Sequence, residues 1–134
     1  MDKNKILVVD DDQSLLFLLE KRLTKEGYSV ATAENGYDAI ALAKSQCPDL
    51  IILDLVMPGM EGSEVSTRLK EDPKTANIPI IFLTALISKE QEERKKHIIA
   101  NNIFVAKPFD AEDLLGQVRN LLQLSSSPKP TAGQ

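Results

Sequence analysis

The sequence lacks tryptophan altogether and has a single cysteine, Cys47. One cysteine cannot close a disulfide within the chain, so internal cross-links do not contribute to its stability. The apolar run that follows Lys5 is too short for a signal peptide or a membrane-spanning helix, which favours the cytoplasm as the compartment. Because 43% of the residues are hydrophobic and only 4% are aromatic, we expect a core of aliphatic side chains.

The chain also lacks an excess of positive charge. Its 16 lysines and arginines are outnumbered by 20 aspartates and glutamates, which leaves a net charge of −4. Affinity for nucleic acid or anionic lipid depends largely on positive charge, so neither direct nucleic-acid binding nor membrane binding is expected. At 134 residues, the chain is about the size of one average domain. We therefore expect a single domain to carry the function.

Short apolar runs rich in β-branched residues alternate with segments of helical periodicity. In the first unit, an apolar run ends in three aspartates, the last of which, Asp12, is the expected N-cap of a helix that closes at Gly27. Five such units predict an α/β fold with a parallel sheet covered by helices on both faces. The predicted strands are 6–9, 28–33, 50–53, 80–83 and 103–106, and the predicted helices are 14–25, 39–43 (ending before Pro48), 63–71, 88–100 and one beginning at Asp110.

The end of the chain differs in composition from the rest. Residues 125–134 are rich in serine and proline and have no apolar periodicity. This composition predicts a flexible C-terminal tail or the start of a linker. The folded domain is then predicted to occupy residues 1–124.

Charged and polar residues stand where four of the predicted strands end. Asp10 and Asp11 follow the first strand, Asp54 follows the third, Thr84 the fourth and Lys107 the fifth. Ligands of an open parallel sheet bind outside the carboxyl ends of its strands, so we expect these side chains to converge. Three crowded carboxylates repel one another unless a cation lies between them. The pattern therefore predicts a cation site at this edge of the sheet.

The three carboxylates suit a hard divalent cation. Mg²⁺ is usually held by one or two carboxylates with water and phosphate oxygens, which favours Asp11 and Asp54 as direct ligands and Asp10 as a ligand through water. Calcium fits less well, because the acidic run lacks the spaced ligands and central glycine of an EF-hand. Lys107 and Thr84 could hold phosphoryl oxygens opposite the acids. Asp54 is the predicted nucleophile, which would form an aspartyl phosphate.

The same positions carry a resemblance to a known family. In order along the chain stand Asp10-Asp11, then Asp54 with Met57-Pro58-Gly59-Met60-Glu61-Gly62, then Thr84-Ala85 and Lys107-Pro108-Phe109. Together these motifs resemble the receiver domain of two-component response regulators, and the resemblance covers residues 5–124. It implies a flavodoxin-like three-layer sandwich, in which five helices cover a five-stranded parallel sheet of order 2-1-3-4-5.

The resemblance implies a role in phosphorelay signal transduction. Asp54 would accept a phosphoryl group from a histidine kinase or a histidine phosphotransfer protein, and the domain would catalyse only its own phosphorylation and dephosphorylation. A downstream effector protein or an output domain would read the change, and a phosphorylation-dependent dimer is one form that this output could take. The resemblance implies a Mg²⁺ site whose ligands are Asp10, Asp11, Asp54 and the backbone carbonyl of Val56. Mn²⁺ could substitute for Mg²⁺ at this site. Thr84, the Ala85 amide and Lys107 would bind phosphoryl oxygens, Thr84 and Phe104 would form the switch, and Lys107–Pro108 would be a cis peptide.

Two apolar features bear on partners and on the lifetime of the phosphoryl group. The run from Leu15 to Leu19 wraps around a helix, so some of its side chains must face away from the sheet. They either pack under neighbouring helices or form a docking surface, because helix 1 commonly meets the phosphodonor in the family. Val56 and Leu86 are apolar where the family tunes access of the hydrolytic water, which predicts slow self-dephosphorylation.

Three other functions compete with this interpretation. A Mg²⁺-dependent phosphatase of the aspartyl-phosphate type would need a cap over its substrate and usually a second aspartate just beyond the nucleophile, whereas Leu55-Val56 follows Asp54. A flavin-binding electron carrier would need a glycine- and hydroxyl-rich phosphate loop after the first strand, where this chain has three aspartates. A degenerate receiver, which binds partners without phosphate, is disfavoured because the five chemical positions are intact, namely Asp10, Asp11, Asp54, Thr84 and Lys107.

Overall fold

The computed structural model describes residues 4–84, 98–99 and 102–126. Within these ranges the chain forms six strands and four helices. None of these helices is long and apolar enough to cross a membrane. The strands are β1 (Lys5–Val9), β2 (Ser29–Ala33), β3 (Leu50–Asp54), β4 (Ile80–Thr84), β5 (Ile98–Ile99) and β6 (Asn102–Ala106). The helices are α1 (Gln13–Lys25), α2 (Gly36–Gln46), α3 (Gly62–Lys70) and α4 (Ala111–Ser126).

All six strands belong to one sheet, whose order is β2-β1-β3-β4-β6-β5. The pairings of β1 with β2 and β3, of β3 with β4, and of β4 with β6 are all parallel. The strand predicted as the fifth is β6, so the predicted order 2-1-3-4-5 of five parallel strands is confirmed. The structure adds a short edge strand, β5, which pairs antiparallel with β6.

Four of the five predicted helices lie among the described residues. The helix expected at 88–100 lies outside them except for Ile98–Ile99, and these two residues are extended. Ile98 pairs with Ile103 and Ile99 with Asn102. Isoleucine is β-branched and favours strands, and the side of β6 that faces away from β4 can pair with another strand. Edge pairing therefore overrides the helical pattern at this point.

The ends of α1 follow the sequence prediction. The carboxylate of Asp12 accepts hydrogen bonds from the backbone amides of Ser14 and Leu15, which otherwise lack partners at a helix N-terminus. Beyond the last turn, Gly27 has φ of +100°, and its amide donates to the carbonyl of Thr24. Glycine adopts this left-handed conformation without steric cost, so the chain can turn directly into β2.

Two clusters of buried apolar side chains lie on opposite faces of the sheet. Along β1, Ile6 and Val8 belong to one cluster and Leu7 and Val9 to the other, as expected where successive side chains of a strand point to opposite faces. Side chains of α1 and α4 complete the first cluster, and those of α2 and α3 complete the second. The sheet is therefore a central layer with helices on both faces.

The apolar run in α1 is divided between the core and the surface. Leu16 and Leu19 are buried in the first cluster, and Leu15 packs partly against it. Phe17 and Leu18 point outward, with 63% and 48% of their surfaces exposed. Part of this run is therefore buried in the core, while Phe17 and Leu18 are exposed on the surface.

Candidate functional site

The carboxyl ends of β1, β3 and β6 bring two acids and a lysine together. Val9 is paired with Leu53, so Asp10 and Asp54 occupy the next positions on neighbouring strands. Thr84, the last residue of β4, is paired with Ala106, which places Lys107 just beyond that pair. Parallel strands end at one edge of a sheet, and this edge collects the residues that the sequence analysis singled out.

Asp10, Asp11 and Asp54 form a compact group of carboxylates. One carboxylate oxygen from each lies within 4.8 Å of the others. Asp10 is 1% exposed and Asp54 4% exposed, whereas Asp11 is open to solvent. Three oxygen donors, with solvent on one side to supply waters, fit a hard divalent cation. Asp12 takes no part in this group, because its carboxylate caps α1.

Lys107 bridges the two buried acids. Its Nζ donates a hydrogen bond to Asp10 Oδ2 at 2.8 Å and a longer one to Asp54 Oδ2 at 3.4 Å. Partial burial opposes the charged amine, but the hydrogen bond and charge of Asp10, supported by Asp54, raise the pKa of Lys107 above 10.5. The lysine is therefore a fixed positive charge between two carboxylates.

The carboxyl group of Asp54 experiences opposing influences. Burial raises its pKa above the ordinary value of 3.8, and the nearby charge of Asp10 acts in the same direction. A hydrogen bond from the Val56 amide to Asp54 Oδ1, 3.2 Å long, and the charge of Lys107 lower it. Burial prevails. A carboxylate that is poorly solvated at neutral pH is a more reactive nucleophile than one surrounded by water.

The turn after β3 brings backbone groups close to Asp54. The Leu55 amide donates to the carbonyl of Leu83 on β4, and the Val56 amide donates to the Asp54 carboxylate. Val56 itself is 48% exposed, so an apolar side chain stands in solvent beside the acid. The backbone of Val56, predicted as a metal ligand through its carbonyl, is thus next to the carboxylate group.

The structure describes the other predicted site residues only in part. Ala85 lies outside the described residues, and for Thr84 the structure gives the backbone position at the end of β4. Phe104 on β6 is partly buried, and its ring stacks on Phe82 with centroids 4.9 Å apart. The Lys107–Pro108 peptide is cis, as expected.

Two relationships at the site were not predicted from the sequence. The shorter hydrogen bond of Lys107 goes to Asp10 and not to Asp54. Gly62, at the start of α3, lies directly against the backbone of Asp54 and Leu55. The contact of Gly62 with the Asp54 backbone has one signal in the sequence, which is the presence of a glycine in the segment after Asp54.

Comparison with known proteins agrees with this geometry. The family model of the response regulator receiver domain matches residues 6–119. Response regulator PleD of Caulobacter vibrioides is 43% identical over 117 residues, which are 87% of this chain and 26% of PleD. Protein PilH of Pseudomonas aeruginosa is 38% identical over 121 residues, which are 88% of this chain and 97% of PilH. The chain thus spans about a quarter of one relative and nearly all of the other.

A solved structure shows the same architecture. The chemotaxis protein CheY4 of Vibrio cholerae superposes with a TM-score of 0.78 at 32% identity, over 90% of this chain and 99% of that one. The family match, the relatives and the common fold agree, and the chain belongs to the response regulator receiver domains of two-component signalling systems.

Proposed function

We propose that Asp54 is the phosphoacceptor of this receiver domain. The observation that carries the proposal is the contact of Lys107 with both Asp10 and Asp54, while Asp11 completes a carboxylate group within 4.8 Å. A lysine and two further acids around one nearly buried carboxylate suit a reaction that brings a phosphoryl anion to that carboxylate. Phosphoryl transfer depends mainly on positioning and charge neutralisation, and both are provided at this edge.

The phosphodonor is a histidine kinase or a histidine phosphotransfer protein. A carboxylate oxygen of Asp54 attacks the phosphorus, a P–O bond forms, and the P–N bond to the donor's histidine breaks. The leaving imidazole keeps the electron pair and takes a proton from solvent. Lys107, the hydroxyl of Thr84 and the amide of Ala85 hold the phosphoryl oxygens. The domain acts only on itself in this reaction and in the later hydrolysis.

Asp10, Asp11, Asp54 and the backbone carbonyl of Val56 would hold Mg²⁺, for which Mn²⁺ could substitute. When bound, the cation supplies positive charge to the phosphoryl oxygens. The fit is supported by the exclusively oxygen donor set and by the mixture of buried and exposed acids. Lys107 must then share the two buried acids with the cation.

Phosphorylation would be read at a partner-binding surface. We propose Thr84 and Phe104 as the switch, with the ring of Phe104 leaving or keeping its stack on Phe82 according to the state of Asp54. The receiving partner is a downstream effector protein or an output domain, and dimerisation on phosphorylation is one form of this response. The exposed Phe17 and Leu18 on α1 form a candidate docking surface for the phosphodonor.

The domain boundaries and compartment belong to the same proposal. Residues 1–124 would form the receiver and 125–134 a flexible tail or linker, although α4 continues to Ser126. A cytoplasmic location fits a partner of this kind. The phosphatase alternative receives no support, because only residues 55–61 separate β3 from α3 and this segment is too short for a cap.

Intact-mass spectrometry tests the phosphoacceptor. The parent protein, with acetyl phosphate and Mg²⁺, should gain the mass of one phosphoryl group, and Asp54→Ala should gain none. Glu20→Gln, which changes an exposed acid on α1, is the matched control and should be labelled like the parent. Labelling of both the parent and Asp54→Ala, or of neither when a known receiver is labelled, would refute the assignment.

A further inference from the structure

The first residue of α3 lies directly on the end of β3. The Gly62 amide donates a hydrogen bond to the Leu55 carbonyl at 2.9 Å. A Cβ at position 62 would collide with the carbonyl oxygen of Asp54 and would lie 2.9 Å from the Leu55 Cα, whereas real Cβ atoms essentially never approach other atoms within 3.0 Å. Both obstacles are backbone, so a side chain at this position can be accommodated only if the helix or the strand end moves.

At no other described glycine would an added Cβ collide with backbone atoms. At Gly27 and Gly59 a Cβ would meet nothing within 4 Å. At Gly36 the nearest atoms belong to side chains and not to backbone, with Val65 Cγ2 at 2.8 Å and Met60 Sδ at 2.9 Å. Among the described glycines, Gly62 is therefore the one at which the backbone of Asp54 and Leu55 leaves no room for a side chain.

The backbone that Gly62 touches also orients the carboxylate of Asp54. The Leu55 amide donates a hydrogen bond to the Leu83 carbonyl at 3.0 Å, and the Leu55 carbonyl accepts a hydrogen bond from the Gly62 amide. The next amide, that of Val56, donates to Asp54 Oδ1 at 3.2 Å. The peptide at Leu55 is thus fixed from β4 on one side and from α3 on the other. Because the Leu55 carbonyl and the Val56 amide belong to one planar peptide group, a shift of that group would redirect the Val56 amide away from the Asp54 carboxylate.

We propose that Gly62 is a positioning residue for the phosphoacceptor site. The absence of a side chain lets α3 rest on the Asp54–Leu55 peptide, and this contact sets the Asp54 carboxylate and the Val56 backbone in the arrangement that binds the cation. The inference rests on the proposed role of Asp54. A positioning role for Gly62 differs from a packing role in what a substitution changes. A substitution at a positioning residue changes Mg²⁺ affinity and labelling, whereas a substitution at a packing residue changes only stability.

Gly62→Ala and Leu69→Ala distinguish positioning from packing. Leu69 is buried near the other end of α3, so its truncation loosens the same helix without crowding Asp54. Both variants should lower Tm. Only Gly62→Ala should raise the Kd for Mg²⁺, measured by titrating amide chemical shifts with Mg²⁺ alone. Loss of a group that orients metal ligands typically costs about 10- to 100-fold in affinity, and we expect a change in this range.

Labelling by acetyl phosphate should be slowed in Gly62→Ala at saturating Mg²⁺ and unchanged in Leu69→Ala. Equal Mg²⁺ affinity and equal labelling in Gly62→Ala and the parent would overturn the positioning role and leave the function of Asp54 standing. A parent protein that neither binds Mg²⁺ nor is labelled would overturn both.

If Gly62→Ala does not fold, the parent protein decides the question. In the same Mg²⁺ titration, the amide resonances of Gly62 and Leu55 should shift with the midpoint observed for Val56, because the three groups share one hydrogen-bonded turn. A Gly62 amide that does not respond, while Val56 does, would contradict the proposal.

Discussion

Lys107 forms its shortest ion pair with Asp10, 2.8 Å from Nζ to Oδ2, although Asp54 is also within reach. Asp10 is the more deeply buried of the two acids and accepts a second hydrogen bond, from the Asp12 amide. A nearly buried carboxylate depends on such partners, because it has little access to water. We therefore expect Lys107 to stabilise the fold before any phosphoryl group arrives.

Lys107→Met should destabilise the protein in the absence of divalent cations. Two nearly buried carboxylates would lose their cationic partner, and we expect the free energy of unfolding in urea to fall by about 1–3 kcal/mol. Saturating Mg²⁺ should stabilise this variant more than the parent, because the cation then replaces the missing charge. Labelling by acetyl phosphate should still be impaired.

Lys44→Met is the matched control for that change. Lys44 lies 3.6 Å from Asp72 on the surface, where an ion pair is worth about 1 kcal/mol or less. The free energy of unfolding of Lys44→Met should differ little from that of the parent, and Mg²⁺ should stabilise both proteins to the same extent. Equal losses in the two lysine variants, with equal responses to Mg²⁺, would contradict the role given to Lys107.

Asp54→Asn should make the metal-free protein more stable at neutral pH. Burial raises the pKa of Asp54 in the folded state, so the folded protein binds this proton more tightly than the unfolded chain does. The resulting stability is present below the unfolded pKa of about 3.8 and is lost as the pH rises through the folded value. The uncharged amide avoids this loss, while Lys107 keeps its pairing with Asp10.

Urea unfolding at neutral pH and at a pH below about 3.8 measures the effect. The advantage of Asp54→Asn should disappear at the lower pH, where the parent's carboxyl is protonated. Glu20→Gln, on the exposed surface of α1, should match the parent at both values. An advantage that is the same at both pH values would show that ionisation of Asp54 is not its cause.

The sheet could be predicted because its determinants are local and repeated. Four of the five parallel strands, all except β2, are short apolar runs, and a polar residue at the end of each marks the edge where Asp10, Asp54 and Lys107 meet. Ile98–Ile99 could not be predicted in the same way, because two residues contain no periodicity and their pairing depends on the free edge of β6.

The finer geometry of the site depends on contacts between distant segments. Sequence spacing places Lys107 near two acids but cannot decide which of them it approaches more closely, since side-chain rotamers and burial decide that. The contact of Gly62 with Asp54 arises only when α3 packs back onto β3. Both relationships are therefore found in the structure and not in the pattern of residues.

Leu18→Glu should separate docking from chemistry. The Leu18 side chain is exposed on α1, so a charge there leaves the core intact but disrupts an apolar contact with a partner. Loss of a hot-spot contact at the centre of an interface costs about 1.4 kcal/mol or more, so with Leu18 in that place phosphotransfer from the cognate kinase should slow by about tenfold or more. Labelling by acetyl phosphate should be unchanged.

Tyr37→Glu provides the comparison, because Tyr37 is 65% exposed on a different helix, α2. This variant should accept phosphoryl groups from both donors at the parent's rates. Undiminished kinase transfer to Leu18→Glu would remove α1 as the docking surface, and equal losses in the two variants would point to a general effect of the added charge.

Val56→Asn should shorten the life of the phosphorylated state. The exposed valine stands beside Asp54 and offers no hydrogen bond to a water molecule that approaches the phosphorus. An asparagine could orient that water, and we expect hydrolysis to quicken by less than the ~100-fold typical of a full general base. The decay of the phosphorylated mass after removal of acetyl phosphate measures the lifetime.

The double variant Val56→Asn, Leu86→Glu extends this test, because it makes polar both positions that are expected to control the hydrolytic water. Its phosphoryl group should be lost faster than that of the parent, while its initial labelling rate should stay close to the parent's. Val30→Thr, which lies in β2 away from the carboxylate group, serves as the control for a polar substitution. A parent lifetime no longer than that of the double variant would contradict the prediction that Val56 and Leu86 slow hydrolysis by restricting water.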